Sequence, residues 1–300
     1  MLFYFRYLIN QPASSVDSKK EIKISEGESS INIAGRLSSR GLVNSKWVFY
    51  VYLKLKEKVI QPGDYLMPTN LTIIQVADAL GNKKYQVIKI TIPEGWRREQ
   101  IAQYLFEHAK ISASDFLAAT KELEGKIFPD TYDLTDEPTV DEVVEKMTEN
   151  FDNRIAGMDL TSDKLILASI VEREAGSDAE RADIAGVFIN RLARGMKLEA
   201  DPTVQYQKDT NNYPAVGISN FKFWQKLETG DSKKIQGVYN TYLNNGLPPA
   251  PICNPGLASI KAALNPSHHD YLYFFHDANG KIYFSTTQAE QTAKEKLYLK

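Results

Sequence analysis

Leu165-Ile-Leu-Ala-Ser-Ile-Val-Glu-Arg-Glu-Ala175 is the stretch on which the fold of this chain turns. An unbroken run of apolar and small residues ends in Glu172 and Glu174, the composition of a helix buried nearly all round whose last turn carries two carboxylates. At 100° per residue Glu174 shares a stripe with Leu167, Ile170 and Val171, while Glu172 lies roughly 160° away beside Leu165, Ala168 and Ser169. Only one of the pair can face a given cleft. A carboxyl that ends a stripe of bulky aliphatics is partly desolvated, so its pKa rises and it keeps a proton near neutral pH, as a general acid must. Glu174 is therefore the better candidate, with Glu172 secondary. Spacing alone favours a plainer reading, two solvated residues at a helix C-terminus ended by Gly176, so the rest of the chain has to decide.

Outward from this helix, the composition is that of a globular chain with a real core. It has 300 residues, 43% hydrophobic and 25% charged, enough for one large or two to three small domains. A formal charge of -2 with the two signs interspersed excludes an electrostatic footprint for nucleic acid. The single Cys253 excludes an intrachain disulfide and a multi-cysteine zinc site, but leaves the compartment open. There is no Gly-rich phosphate loop, no Gly-x-Ser-x-Gly elbow and no His-Glu-x-x-His pair, so no cofactor is expected. His268, His269 and His276 lack an accompanying carboxylate cluster at ligand spacing and read as surface and strand residues, with no metal assigned.

Met1 to Ile9 is apolar and aromatic but carries Arg6 and falls short of the about 20 apolar residues a bilayer span needs; it reads as a disordered hydrophobic tip or the end of an anchor. The polar run Gln11 to Lys20 completes a tether over residues 1–20. Residues 21–109 contain an internal repeat. Ile22-Lys-Ile-Ser-Glu-Gly27 aligns with Ile90-Thr-Ile-Pro-Glu-Gly95, and the match continues through Ile33/Ile101, Ala34/Ala102 and Leu37/Leu105. Each copy predicts a short strand, a Glu-Gly turn and an amphipathic helix, with a further strand at Gly63 to Met67 and a helix at Thr72 to Leu80. Residues 110–160 read as a helical connecting segment, with a capping-box pair at Thr139 and Glu142.

Residues 161–300 make the last domain. Ser162 and Asp163 are expected to cap the Leu165 helix, and Asp178 to start a second one with Ile184, Val187, Phe188 and Leu192 on one face. Leu198 to Tyr206, Tyr239 to Tyr242 and Gly246 to Pro251 read as loops. A helix over Leu257 to Leu264, a hairpin turning at Asn279-Gly280 and a closing helix from Gln288 follow. Besides the acid Glu174, the domain offers side chains of the kind that grip sugars. Tyr206, Tyr239 and Tyr242 can stack on pyranose faces, and Asn190, Gln205 and Asn240 supply donors and acceptors for hydroxyl and acetamido groups.

Six motifs in one order carry a resemblance: Ala168-Ser-Ile-Val-Glu-Arg-Glu174, Val187-Phe-Ile-Asn-Arg-Leu192, Asp201-Pro-Thr-Val204, Tyr239-Asn-Thr-Tyr242, Gly246-Leu-Pro-Pro249 and Asn254-Pro-Gly256. With Phe128-Pro-Asp-Thr-Tyr132 they closely resemble the YceG-like family of endolytic murein transglycosylases, over roughly residues 20 to 300. The resemblance implies an α+β chain, with a small LysM-like N-terminal region followed by a lysozyme-like transglycosylase domain. It also implies peptidoglycan glycan strands as substrate and a peptidoglycan synthase complex as partner. The expected location is the cell envelope, at the extracytoplasmic face of the cytoplasmic membrane, normally through an N-terminal membrane helix. The family's acid falls on Glu174, in agreement with the helical-stripe argument. Tyr239 and Asn240 are expected to hold the muramic sugar, while Asp201 and Gln205 shape the cleft, with Asp201 equally able to cap backbone groups before Pro202. Ala175 departs from the family, which often has a small hydroxyl residue there. Two rival functions stay open: a hydrolytic muramidase with Asp201 as second carboxylate, and a non-catalytic peptidoglycan-binding scaffold.

Overall fold

The computed structural model describes residues 2–16, 18–135 and 138–299, and the chain divides into two units, Met1–Ile90 with Asp133–Pro138, and Thr91–Tyr132 with Thr139–Lys300. Helices and strands are mixed throughout, an α+β architecture.

The first unit runs α1 (Leu2–Ile9), β1 (Lys19–Ile24), α2 (Ser30–Ser39), α3 (Lys46–Leu55), β2 (Gly63–Pro68), α4 (Ile73–Gly81) and β3 (Val87–Thr91). Ile22 and Ile24 alternate with exposed lysines, so one face of β1 enters the core, where it pairs antiparallel with β2 in the register Ile22↔Tyr65 and Lys20↔Met67. The connecting helices present Leu37, Phe49, Leu53, Val76 and Leu80 to the same core. Ser29, Ser45 and Thr72 cap α2, α3 and α4, Thr72 through a full capping box with Gln75. The segment expected as a disordered tip or the end of an anchor is helical from Leu2 to Ile9, and Phe5 and Ile9 pack on this core. Met1 lies outside the described residues. Among the described residues no helix is long and apolar enough to cross a membrane.

Both copies of the sequence repeat have the predicted strand–turn–helix form, with Gly27 and Gly95 turning through φ of 72° and 76°. The first copy lies wholly in the first unit, while the second is divided: its strand β3 ends the first unit and its helix, α5, belongs to the second. By packing, the two units meet in sequence at Ile90 and Thr91, and 110–160 is, apart from Asp133–Pro138, part of the second unit.

β4 (Thr131–Thr135) pairs with β3, and its residues from Asp133 onward belong to the first unit. The second unit continues with α5 (Arg98–Ala109), α6 (Ala113–Ala119), α7 (Val140–Ile155), α8 (Ser162–Glu174), a 3₁₀ turn (Asp178–Glu180), α9 (Arg181–Ala193), α10 (Asp201–Val216), α11 (Asp231–Lys234), α12 (Leu257–Leu264), the hairpin β5 (Tyr273–His276) and β6 (Ile282–Ser285), and α13 (Gln288–Tyr298). Helix α8 is apolar all round because it is enclosed all round: every residue from Leu165 to Val171 is buried, with α9 and α12 packed against it. Its cap is Thr161, whose hydroxyl accepts the Lys164 N–H, rather than Ser162 or Asp163. Its end is Ala175 in extended backbone; Gly176 takes no left-handed capping role and donates its N–H to the Glu180 carboxylate at 3.0 Å.

The stretch Leu198 to Tyr206, expected as loop, instead opens a 16-residue helix, α10. Pro202 sits in its first turn, where a missing N–H is no loss. Close approach is needed at Gly186 of α9. A Cβ there would lie 2.4 Å from the Ser267 carbonyl and 2.7 Å from His269 Nε2. Gly186→Ala is expected to destabilise by about 2 kcal/mol, read as a lowered thermal midpoint with unchanged circular dichroism below it.

Candidate active site

Glu174 is the last residue of α8, and its half-buried carboxyl lines a cavity of about 280 Å³ with Arg191, Glu199, Asp201, Tyr242, Phe274, Phe275 and His276. Burial, and then the negative charge of Asp201, push the Glu174 pKa from 4.5 up to about 8, against the opposing pull of Arg191 and Arg173. The group is a protonated carboxyl at neutral pH.

Each wall of the cavity has a traceable support. Asp201, which caps nothing, accepts a 2.8 Å hydrogen bond from the Tyr242 hydroxyl. Tyr242 is held there by its own motif. Asn240 is wholly buried, donates to the Ser232 and Ile235 carbonyls at 2.9 and 2.7 Å, and accepts the Tyr242 N–H at 2.9 Å. Thr241 Oγ1 accepts the Ala200 N–H at 3.0 Å and lies 2.8 Å from Thr203 Oγ1, so the motif is fastened to the start of α10. Arg191 from α9 is buried and ties three strands of chain together, donating to the Leu272 and Leu198 carbonyls at 2.6 and 2.8 Å and pairing with Glu199 at 3.2 Å. Glu199 is itself held in left-handed backbone, φ 49°. From β5, His276 donates through Nε2 to Glu180 at 3.0 Å, and Glu180 in turn receives the Gly176 N–H two residues beyond Glu174.

Of the residues named from sequence, the cavity gathers Glu174, Asp201 and Tyr242. Glu172 faces elsewhere: it is 6% exposed, pairs with Arg181 at 3.3 Å and accepts the Gly256 N–H at 2.9 Å, so it caps α12. Asn240 has no free edge for a sugar. Asn190 donates to the His269 and Tyr271 carbonyls at 2.7 and 3.0 Å, and Gln205 to the Gln225 carbonyl at 3.1 Å, both outside the cavity. Tyr206 lies buried under the Arg97 guanidinium, 4.0 Å from its ring centre. Tyr239 lines a second, larger cavity of about 640 Å³ with Tyr206, Pro249 and Pro251. Of the carboxyls lining that cavity, Glu124 is also pushed up to about 8 by burial, and it is tied into the fold by the Arg98 N–H and the Asn254 amide, which it accepts at 3.1 and 2.9 Å.

Arg191, Glu199, Phe274, Phe275 and His276 were not singled out as site residues from sequence. The hairpin that carries three of them is legible, but its packing beside the end of α8 is not. Among the described residues no group of three His, Cys, Asp or Glu side chains comes together as a metal site.

The YceG-like family profile matches residues 22–296. A Bacillus subtilis protein named endolytic murein transglycosylase is 31% identical over 93% of this chain and 86% of its own length. A Streptococcus pneumoniae protein of the same name is 26% identical over 96% of this chain, which spans 60% of that longer relative. The crystal structure of a yceG-like protein from Listeria monocytogenes superposes with a TM-score of 0.57 at 28% identity, over 93% of this chain and all of the other. With its profile match running through both units and the motif order intact, the chain belongs to the YceG-like family.

Proposed function

We propose that this protein is an endolytic murein transglycosylase of the cell envelope, acting on peptidoglycan glycan strands with Glu174 as its acid and base. The observation that carries this reading is the Glu174 carboxyl, raised to about 8, ending an apolar helix inside a cavity that also holds Asp201 and Tyr242. Protonated Glu174 donates to the glycosidic oxygen between N-acetylmuramic acid and N-acetylglucosamine; the C1–O bond breaks and the glucosamine leaves as an alcohol. The resulting carboxylate takes the proton of the muramic C6 hydroxyl, whose oxygen bonds to C1 and gives a 1,6-anhydro end. Neither water nor a second catalytic carboxylate enters. Asp201 supplies the charge that, after burial, keeps Glu174 protonated, and Tyr242 holds Asp201 in place.

The strand–helix–helix–strand order of β1, α2, α3 and β2 supports a LysM-like reading of the first unit, and a helix ending in the acid supports a lysozyme-like reading of the second. A peptidoglycan synthase complex as partner, and action at the extracytoplasmic face of the cytoplasmic membrane, belong to the same proposal.

The hydrolytic alternative rests on Asp201 sharing the cavity with Glu174, as a base for water would. Mass spectrometry of purified strands after digestion separates the two: the proposal expects internal cuts and muramic ends lighter by one water, and reducing ends throughout would overturn it. Tyr242→Phe is expected to lower turnover about 3- to 10-fold, the worth of one hydrogen bond, with little change in thermal midpoint, checked by strand-cleavage rates beside a melt.

A further inference from the structure

The ten residues of α3, Lys-Trp-Val-Phe-Tyr-Val-Tyr-Leu-Lys-Leu, are apolar on every side, yet this helix is not enclosed as α8 is. Phe49, Tyr52 and Leu53 enter the core of the first unit, while Trp47, Val51 and Leu55, spaced four apart on the opposite side, are 60%, 40% and 68% exposed. Such a continuous stripe needs a covering apolar phase. Helix α1 packs beside α3. Asn44, just before α3, donates to the Leu8 and Gln11 carbonyls at 3.1 Å each, which ties the end of α1 to the start of α3 and sets exposed Tyr4 and Tyr7 on the neighbouring helix.

The charges around the stripe say what covers it. Between residues 46 and 57 stand Lys46, Lys54 and Lys56 against the single acid Glu57, and α1 contributes Arg6 with no acid, while Lys58 is paired with Asp78 of α4 at 2.8 Å. Lys46 Nζ lies over the Trp47 ring, 5.1 Å from its centre, and Lys54 Nζ over the Tyr50 ring at 5.8 Å. Aromatic rings and aliphatics bordered by lysines match the boundary between acyl chains and anionic headgroups, whereas a protein partner would need acidic side chains opposite every lysine.

We infer that α3, with α1 beside it, is an interfacial docking surface for an anionic phospholipid bilayer, with Trp47, Val51 and Leu55 entering the headgroup–acyl boundary. The surface belongs to the first unit, and the residues that line the Glu174 cavity belong to the second.

Co-sedimentation of the full chain with phosphatidylcholine vesicles containing about 30% phosphatidylglycerol, against phosphatidylcholine alone, tests this. The wild-type chain is expected to pellet with the anionic vesicles. Trp47→Ser with Leu55→Ser is expected to weaken binding about tenfold or more, and Lys46→Gln with Lys54→Gln to remove the preference for the anionic lipid. Hydrogen exchange on the unmodified protein supplies a readout independent of how the variants fold: vesicles are expected to protect peptides of α1 and α3 and leave α8 unchanged. A wild-type chain that stays in the supernatant, vesicle binding unaffected by the serine pair, or protection confined to other elements would each overturn the inference. So would a dimer seen by sedimentation equilibrium, abolished by the serine pair and indifferent to lipid, because a second copy would then be what covers the stripe.

Discussion

Glu174→Gln is expected to lower strand cleavage on the order of 10³-fold or more while leaving the fold intact, because the same carboxyl is asked to give a proton and then to take one. Gln occupies the same space and can do neither. The pH dependence follows from the raised pKa. The free enzyme needs Glu174 protonated, so kcat/KM is expected to fall as pH rises through about 8. Asp201→Asn removes one of the two causes of that elevation, the lesser after burial, and is expected to move this alkaline limb to lower pH. An unchanged limb in that variant would show that Asp201 does not set the protonation of the acid.

The same carboxyl weakens the fold. In the native state its pKa is about 8, against 4.5 when unperturbed, so between these values the native state binds more protons than the unfolded chain and stability declines as pH rises. Below 4.5 both states are protonated and nothing is lost; above 8 the loss is complete. Glu174→Gln never ionises. The variant is therefore expected to melt above the wild type at pH 9 and close to it at pH 4, the reverse of its effect on activity.

Asn254→Ala is expected to cost about 3–5 kcal/mol, the largest single loss of stability in the second unit. Asn254 is wholly buried, and its side chain makes four hydrogen bonds. Oδ1 accepts the Gly125 and Ile127 N–H groups at 2.9 Å each, and Nδ2 donates to the Trp96 carbonyl at 3.0 Å and to Glu124 at 2.9 Å. Alanine leaves the buried Gly125 and Ile127 N–H groups without their acceptor, reduces the Trp96 carbonyl to the bond it accepts from the residue 254 N–H, and takes a donor from a carboxylate that burial already pushes up. A fall in melting temperature on the order of 10 °C is expected. Asn254→Asp separates the two halves of the bond set, since it keeps the acceptor but sets a second carboxylate beside Glu124, so its penalty is expected to grow with pH.

Asn254 also shows how a motif can be legible before its reason is. Asn254-Pro-Gly256 stood out in sequence, yet its work is to join Trp96, Gly125 and Ile127, residues far away along the chain. The repeat is a parallel case. Its two strand–turn–helix copies form as predicted because alternation, a turn glycine and a capping residue act within a few residues of one another. The unit that each strand and helix joins depends on partners that the local pattern does not name. For the same reason Tyr239, Asn240 and Tyr242, nearly adjacent in sequence, have three different fates: one lines the larger cavity, one is buried holding the loop, and one reaches Asp201.

What the sequence determined by itself was periodic or local: an apolar helix ending in two carboxylates, the stripe that makes Glu174 differ from Glu172, the helix cap at Thr139, and the order of motifs that marks the family. What only the tertiary structure decided was convergence. Arg191 from α9, Glu199 and Asp201 at the start of α10, Tyr242 from its loop and His276 from β5 meet at the end of α8 through contacts with no period and no fixed spacing. The raised pKa of Glu174 belongs to both levels. The helix brings the carboxyl to the cavity, but the desolvation and the Asp201 charge that keep it protonated exist only once distant segments have closed around it.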